Sequence, residues 1–306
     1  MRIILAKPRG FCAGVERAIM CVLRALERYG APVYVLNDIV HNAAVVQDLA
    51  EKGAVFVKDL QDVPRGQHVL FSAHGVAPTR WEEARERELQ VIDATCPLVE
   101  KVHREAVRFA RERYTILLIG TDGHDEVVGT KGWAPDNIKI VFSEEDVRNV
   151  RVEDENRVAF VTQTTLSVDD SRRIVALIRE QFPNVQGPAH DDICYATQNR
   201  QAAVNALVVE ADLVLVVGDP ESANSTRLAN ICETKGKQSH LISSFRMIDP
   251  QWLENVDTIL ITSGASAPEK LVQEVVEHLK ALTPCDVEER EVAVEDVHFV
   301  LPDAIR

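Results

Sequence analysis

The stretch RGFCAGVERAI (residues 9–19) decides the fold, because it joins a short apolar run to a helical pattern through a cysteine. The apolar run is Ile3 to Ala6, and Cys12 stands where the helical pattern begins. A single cysteine in such a place is most often a buried thiol without chemistry. The stretch gains meaning only if the same junction recurs along the chain.

The junction occurs twice more, in ATCPLVEKVHREAV and in DICYATQNRQAAV. Cys96 and Cys194 take the place of Cys12, and the three cysteines are 84 and 98 residues apart. Each precedes a segment in which apolar residues return every three or four positions, as in an amphipathic helix. Apolar strands alternate with such helices, namely PVYVL, AVFV, HVLFS, YTILLIG, IKIVF, VAFVT, DLVLVVG, SHLIS and TILITSG. This alternation predicts an α/β fold with parallel sheets.

Two polar loops follow each cysteine at nearly constant distances. The first loop lies 28 to 30 residues beyond the cysteine and carries His41, His124 or Asn224. The second loop lies 62 to 72 residues beyond it and carries His74, Thr164 or Ser266. Three units with the same three-part pattern predict three similar lobes around an approximate three-fold axis.

The repeat also predicts the boundaries of the lobes. We expect lobe 1 at residues 14–96, lobe 2 at 97–192 and lobe 3 at 193–281 together with the N-terminal strand 1–13. Residues 282–306 form a C-terminal tail. Ligands of α/β proteins bind outside the carboxyl ends of the strands. The cysteines and polar loops are therefore expected to converge on one central site.

Three cysteines so far apart in sequence favour an iron–sulfur cluster over structural zinc, which usually takes four ligands from short local spacings. The other cysteines are interpreted as packed or incidental thiols, namely Cys21, Cys232 and Cys285. A [4Fe–4S] cluster with three protein ligands has one iron open to substrate. Such an iron is a Lewis acid as well as an electron carrier, which indicates an enzyme.

The polar loops favour an anionic ligand. Ser222, Asn224 and Ser225 are expected just before a helix, where backbone N–H groups attract anions, and Ser266 precedes another helix. Together with the histidines these groups suit a phosphate or diphosphate. Glu126 lies two residues after His124 and is a candidate proton donor.

The composition excludes several classes of protein. A net charge of −14, from 34 basic and 48 acidic residues, argues against nonspecific binding to nucleic acid or anionic membranes. No apolar run approaches the roughly 18 residues of a membrane span. Only four apolar residues precede Lys7, too few for a secretory signal. These features predict a cytoplasmic protein.

Nine stretches together resemble the motifs of the 4-hydroxy-3-methylbut-2-enyl diphosphate reductases, which catalyse the last step of the methylerythritol phosphate route to isoprenoids. The stretches are PRGFCAGVERAI, VHN, FSAHGV, DATCPLV, GHDEVVGT, TQTTLSVDD, DDICYATQNRQ, SANSTRL and GASAP. They cover nearly the whole chain in order. The resemblance implies a three-lobed α/β fold around one [4Fe–4S] cluster.

The resemblance also implies the roles of individual residues. The cluster ligands would be Cys12, Cys96 and Cys194. The diphosphate would be held by His41, His74, Ser222, Asn224 and Ser266, with His124 and Ser225 nearby. Glu126 would relay protons, and Thr164 would help to place the substrate hydroxyl. The reaction would be reductive removal of that hydroxyl, giving isopentenyl or dimethylallyl diphosphate, with electrons from an external donor such as ferredoxin or flavodoxin.

Two other functions remain open at this stage. A quinolinate-synthase-like [4Fe–4S] lyase would share the three lobes and three cysteines but needs arginines that bind carboxylates. Arg9 and Arg227 are the only such residues near the loops. An iron–sulfur redox sensor would need a module that binds DNA or a partner protein, and the sequence contains no helix-turn-helix signature or basic patch.

Overall fold

The computed structural model describes residues 1–306. Its strands are β1 (Arg2–Lys7), β2 (Val33–Leu36), β3 (Ala54–Val57), β4 (His68–Phe71), β5 (Gln90–Asp93), β6 (Thr115–Ile119), β7 (Ile138–Val141), β8 (Val158–Thr162), β9 (Leu213–Val217), β10 (Gln238–Ile242), β11 (Thr258–Ser263) and β12 (Asp286–Glu291). They form three parallel sheets, in the orders β10-β9-β11-β1-β12, β3-β2-β4-β5 and β7-β6-β8. The predicted α/β class with three parallel-sheet lobes is confirmed.

Helices make most of the connections between the parallel strands. They are α1 (Ala13–Tyr29), α2 (Ala43–Glu51), α3 (Pro78–Glu86), α4 (Pro97–Arg111), α5 (Asp125–Trp133), α6 (Glu144–Asn149), α7 (Val168–Gln181), α8 (Tyr195–Leu207), α9 (Ala223–Thr234) and α10 (Glu269–Leu282). None of these helices has both the length and the apolar content needed to cross a bilayer.

The chain divides into two compact units. Unit 1 consists of Met1–Val15, His41–Val45 and Tyr195–His298, and it contains the five-stranded sheet. Unit 2 consists of Glu16–Val40, Val46–Cys194 and Phe299–Arg306, and it contains the other two sheets. Each unit therefore holds part of the predicted set of site residues.

The central strands are apolar on both sides because helices or loops cover both faces of each sheet. In β1, Ile3 and Leu5 belong to one buried cluster of unit 1, and Ile4 and Ala6 belong to the cluster on the opposite face. Side chains alternate across a strand, so a continuous apolar run fills both cores. Each of the nine apolar stretches predicted as strands overlaps a strand of the structure.

Two strands lack this apolar signature. β12 has the sequence DVEERE, lies at the edge of its sheet and pairs only with β1. Its acidic side chains form ion pairs with cations of the neighbouring strand and loop, such as Glu291 with Lys7 at 2.9 Å. β5, with the sequence QVID, is also an edge strand. Edge strands have exposed positions, so polar residues are tolerated there.

Candidate active site

Each cysteine of the repeat lies directly before a helix. Cys12 precedes α1, Cys96 is the N-cap of α4 and Cys194 precedes α8. These positions follow the predicted junctions. A helix start offers unpaired N–H groups and a favourable dipole to an anionic ligand or thiolate.

The same backbone contact anchors all three cysteines to a polar loop. The N–H of Cys12 donates to the carbonyl of Ala265, which precedes Ser266, at 3.2 Å. The N–H of Cys96 donates to the carbonyl of Ala73, before His74, at 3.0 Å. The N–H of Cys194 donates to the carbonyl of Thr164 at 3.1 Å. In each of the three repeats, the second polar loop therefore accepts a hydrogen bond from the N–H of one cysteine.

In unit 1, the first turn of α9 meets the loops that carry His41 and Ser266. The Ser266 hydroxyl donates to the His41 carbonyl at 3.0 Å and lies 3.4 Å from the Ser222 hydroxyl. Ser222 is the N-cap of α9, and its hydroxyl accepts from the Ser225 N–H at 3.4 Å. Three of the predicted diphosphate-binding residues of this unit are thus in one cluster.

Asn224 has an unusual place in this cluster. It lies in the first turn of α9, and only 4% of its surface is exposed. Neither its Oδ1 nor its Nδ2 has a hydrogen-bond partner. Buried amides are nearly always hydrogen-bonded, so unpaired atoms call for an explanation. A ligand at the N-terminus of α9 would supply the missing partner for Nδ2.

Ser225 is the most deeply buried member of the set. Its side chain packs where β9 and β11 end, against Gly218 and Gly264. A Cβ atom on Gly264 would lie 2.0 Å from the Ser225 Oγ, so no larger residue fits there. The two glycines let α9 approach the strand ends. They were not among the residues predicted from the sequence, although each follows its strand directly.

In unit 2, His74 and His124 lie side by side. Their rings are perpendicular with centroids 5.8 Å apart, and His74 Nδ1 is 4.0 Å from the Asp125 carboxylate. His124 is the N-cap of α5, and its Nδ1 accepts from the Glu126 N–H at 3.1 Å. This bond assigns the ring proton of neutral His124 to Nε2.

Glu126 and Thr164 form the most deeply buried polar contact among the predicted site residues of unit 2. The Glu126 carboxylate accepts from the Thr164 N–H at 2.6 Å and from the Thr164 hydroxyl at 2.9 Å. Glu126 is only 2% exposed and lies in the first turn of α5. Burial raises the pKa of Glu126 to about 7, while the two bonds from Thr164 lower it and the Asp192 carboxylate raises it. The carboxyl group can therefore hold a proton near neutral pH.

This raised pKa predicts a pH-dependent stability. A glutamate ordinarily titrates near 4.5, so between that value and about 7 the folded state binds more protons than the unfolded state. The free energy of unfolding should fall as the pH rises through this window, by roughly 3 kcal/mol at most. In Glu126→Gln this part of the pH dependence should disappear, as measured by urea unfolding at pH 5 and pH 8.

The control for this measurement is Glu145→Gln, which changes an exposed glutamate of α6. It should leave the pH dependence of unfolding as it is in the unaltered chain. A Glu126→Gln variant with the full pH dependence would show that Glu126 titrates normally.

The environment of Cys12 suits a metal ligand. Burial raises the pKa of its thiol, and the Val15 N–H, the Arg200 guanidinium and the Gly14 N–H act in the opposite direction. A thiol loses its proton when it binds a metal, so donors that stabilise the thiolate favour ligation. The donor set fits a thiolate-bound metal centre.

The buried cysteines outside the repeat lack such donors at a helix start. Cys21 lies in the middle of α1, and burial raises the pKa of its thiol to about 11. Cys232 lies in the last turns of α9, where burial also raises its pKa to about 11, and its Sγ donates to the Leu228 carbonyl. Both are packed thiols, which agrees with the interpretation from the sequence.

Comparisons of sequence place these features in a family. The sequence profile of the LytB protein family matches residues 3–280. A Nocardia farcinica protein named 4-hydroxy-3-methylbut-2-enyl diphosphate reductase is 53% identical over 306 residues, which is 100% of this chain and 91% of that protein. An Azoarcus protein of the same name is 52% identical over 304 residues, which is 99% of this chain and 97% of that protein.

Comparisons of structure agree. The structure of the E-1-hydroxy-2-methyl-but-2-enyl-4-diphosphate reductase from Plasmodium falciparum matches with a TM-score of 0.96 and 39% identity, over 99% of this chain and 96% of that chain. A second structure, of an (E)-4-hydroxy-3-methyl-but-2-enyl diphosphate reductase, matches with a TM-score of 0.64 and 30% identity, over 92% of this chain and 100% of that chain. The profile and these relatives span nearly the whole chain, and this chain belongs to the LytB protein family.

Proposed function

We propose that this protein reduces 4-hydroxy-3-methylbut-2-enyl diphosphate to isopentenyl and dimethylallyl diphosphate. The observation that carries the proposal is the contact found in all three lobes, in which a cysteine N–H is bonded to a loop with a predicted site residue. Relatives matched over nearly the whole chain bear the name of this reductase. In the reaction the allylic C–O bond breaks and a C–H bond forms, and two electrons and two protons are consumed as water leaves.

The family implies an iron–sulfur cofactor. We assign it as one [4Fe–4S] cluster held by Cys12, Cys96 and Cys194. When bound, such a cluster supplies electrons and an iron site for the substrate oxygen. The electrons would come from an external donor such as ferredoxin or flavodoxin, and the protein would act in the cytoplasm.

The polar loops would hold and orient the diphosphate. His41, Ser222, Asn224 and Ser266 belong to unit 1, and His74 to unit 2. The unpaired Nδ2 of Asn224 and the N-terminus of α9 support this role. Binding energy from a group remote from the reacting carbon can orient the substrate for reaction.

Proton transfer to the substrate would involve Glu126, Thr164 and His124. Glu126 holds a proton near pH 7, and its carboxyl group can pass that proton to the substrate side of the site. Thr164 fixes the carboxyl through two hydrogen bonds. His124 caps the helix that carries Glu126.

The contacts of Arg9 argue against the lyase alternative. Its guanidinium forms ion pairs with Glu269 at 2.8 Å and with Glu289 at 2.9 Å, and its side chain is only 9% exposed. The Arg9 guanidinium is thus already paired with two carboxylates of the protein and is not available to bind a dicarboxylate substrate. Arg9 is therefore a structural residue of unit 1.

The proposal is tested by anaerobic reconstitution with iron and sulfide, followed by a reductive assay. The protein should oxidise a chemical electron donor only in the presence of 4-hydroxy-3-methylbut-2-enyl diphosphate, and the products should be the two five-carbon diphosphates. A reconstituted protein with a stable cluster but no such turnover would refute the proposal.

Loss of a diphosphate anchor should weaken substrate binding without changing the cluster. We expect Asn224→Ala or Ser266→Ala to raise KM about 10- to 100-fold, because each removes a hydrogen bond to a charged group. The visible spectrum should stay the same. The control is Thr234→Ala at the exposed end of α9. If the substrate alcohol without its diphosphate bound as tightly as the diphosphate, these residues would have another role.

A further inference from the structure

Each helix that follows a repeat cysteine carries a cation at nearly the same place. Arg17 in α1 and Lys101 in α4 lie five residues after their cysteines, and Arg200 in α8 lies six residues after its cysteine. The first two share a short motif, VER in CAGVER and VEK in CPLVEK. No role was predicted for these three cations from the sequence.

Arg17 holds the segment before Cys96. Its Nη1 donates to the Thr95 carbonyl at 3.0 Å, and its Nη2 donates to the Asp93 carbonyl at 3.5 Å. Its Nε donates to the Val300 carbonyl at 2.8 Å. These three hydrogen bonds all go to backbone oxygens, and Thr95 is the residue directly before the cysteine.

Lys101 holds the segment before Cys194. Its ammonium donates to the carbonyls of His190 and Asp191 at 2.7 and 3.1 Å, and it is 3.0 Å from the Asp192 carboxylate. The Asp192 side chain is fully buried, and its other oxygen accepts from the N–H of Thr162 at 2.9 Å. The segment before this cysteine is thus tied to α4 and to the end of β8.

Arg200 holds the loop before Cys12. Its Nη2 donates to the Gly10 carbonyl at 2.7 Å, and the N–H of Gly10 donates to the Ser263 hydroxyl at 2.7 Å. Gly10 has a φ of +71°, which suits glycine. The Arg200 side chain is fully buried, and its charge is balanced by Glu295 at 3.0 Å. Glu295 lies beyond the residues that the family profile matches.

The three contacts follow one rule. The helix after Cys12 holds the segment before Cys96, the helix after Cys96 holds the segment before Cys194, and the helix after Cys194 holds the segment before Cys12. We infer that Arg17, Lys101 and Arg200 are positioning residues, each of which fixes the loop of the next cysteine. That these loops carry cluster ligands rests on the proposed function, but the contacts themselves do not.

Other arginines on the same helices behave differently. Arg24 of α1 is 49% exposed and pairs with Glu27, and Arg104 of α4 is 67% exposed and pairs with Glu100. Such exposed pairs add little to stability. Hydrogen bonds from a charged donor to a carbonyl are stronger than neutral ones, so the three positioning cations can restrain a loop. Metal sites depend on this kind of outer support.

The test measures the rate at which iodoacetamide alkylates each cysteine of the full-length chain without its cluster, resolved by peptide mass spectrometry. We expect Arg17→Met to speed alkylation of Cys96, Lys101→Met that of Cys194 and Arg200→Met that of Cys12. Each increase should be at least about tenfold, because the loss of even one charged hydrogen bond has about that effect. The conservative variants Arg17→Lys, Lys101→Arg and Arg200→Lys should restore part of the protection.

Three further variants separate this effect from general damage. Arg200→Met leaves Glu295 without its cation, so Arg200→Met is repeated together with Glu295→Gln and should still expose Cys12. The controls Arg24→Met and Arg104→Met should change no rate. In chain reconstituted anaerobically, each of the three positioning variants should also lose its visible absorbance faster in the presence of a chelator.

The outcomes distinguish this inference from the proposed function. Faster alkylation of the cysteine that precedes the variant's own helix, or equal acceleration of all three cysteines, would overturn the inference. So would rates equal to those of the controls. A reconstituted chain that gains no colour and no turnover would refute the proposed function, but it would leave the pattern of alkylation rates intact.

Discussion

Replacing Cys12, Cys96 or Cys194 by serine should abolish nearly all of the visible absorbance that the chain gains on anaerobic reconstitution. Soft thiolate ligands select iron–sulfur clusters, and a serine hydroxyl is a poor substitute. Each of these cysteines stands directly before a helix and is hydrogen-bonded through its N–H to a polar loop, a position that none of the other three cysteines shares. The measurement is the visible spectrum together with the iron content per chain.

The matched controls are the other three cysteines of the chain. Cys21→Ser and Cys232→Ser change fully buried thiols inside α1 and α9, and Cys285→Ser changes a thiol between α10 and β12 whose Sγ donates to the Thr283 carbonyl. All three variants should keep the cluster. If one of them alone lost its colour while a variant of a repeat cysteine kept it, the assignment of the ligands would be wrong.

The strands that consist of apolar runs could be predicted from the sequence. Strands covered on both faces are apolar runs, and each of the nine apolar stretches overlaps a strand. β12 could not be predicted, because DVEERE has neither an apolar run nor an alternating pattern. It is held by pairing with β1 and by ion pairs with Lys7 and Arg9, which are contacts between residues about 280 apart in sequence.

The positions of the candidate site residues in the fold could be predicted where the repeat gave a spacing. The cysteines, His41, His74 and Ser266 lie in the loops where the pattern placed them. The spacing did not reveal that Glu126 is buried in the first turn of α5 and bonded to Thr164. That contact joins the first turn of α5 to the loop after β8, and sequence periodicity carries no information on it.

The roles of the cations on the cysteine helices were hidden for a similar reason. The motifs VER and VEK repeat visibly after Cys12 and Cys96, but a cation on a helix is usually a solvated residue. Only the structure shows that Arg17 and Lys101 point to backbone carbonyls of another loop. Arg200 is displaced by one residue from this spacing and has no such motif.

Glu126→Gln should lower turnover by about 10²- to 10⁴-fold, the usual contribution of general acid catalysis. Removal of a hydroxyl as water needs a proton, and Glu126 is the buried carboxyl group that holds one near pH 7. Glutamine keeps the size of the side chain and can still accept from the Thr164 N–H and donate to the Thr164 hydroxyl. KM and the visible spectrum should therefore change little. Steady-state kinetics with an artificial electron donor would measure kcat and KM.

The pH profile adds a second readout of the same group. Because the protonated carboxyl group is the donor, kcat of the unaltered protein should fall as the pH rises above about 7. Glu126→Gln should lose this dependence along with most of its activity. The exposed Glu145→Gln on α6 controls for the loss of one carboxylate and should retain both the rate and the pH profile.

Asp125→Asn separates Glu126 from its neighbour in sequence. Asp125 is partly exposed, lies 4.0 Å from His74 and accepts from the Asn37 amide at 3.4 Å. Loss of the Asp125 carboxylate charge should affect His74 and, through it, substrate binding, so KM should change more than kcat. Asp125 has no contact with Thr164 that would aim a proton, whereas Glu126 has two. Near-normal turnover in Glu126→Gln together with its loss in Asp125→Asn would make Asp125 the proton donor, and the role assigned to the buried carboxyl group would be wrong.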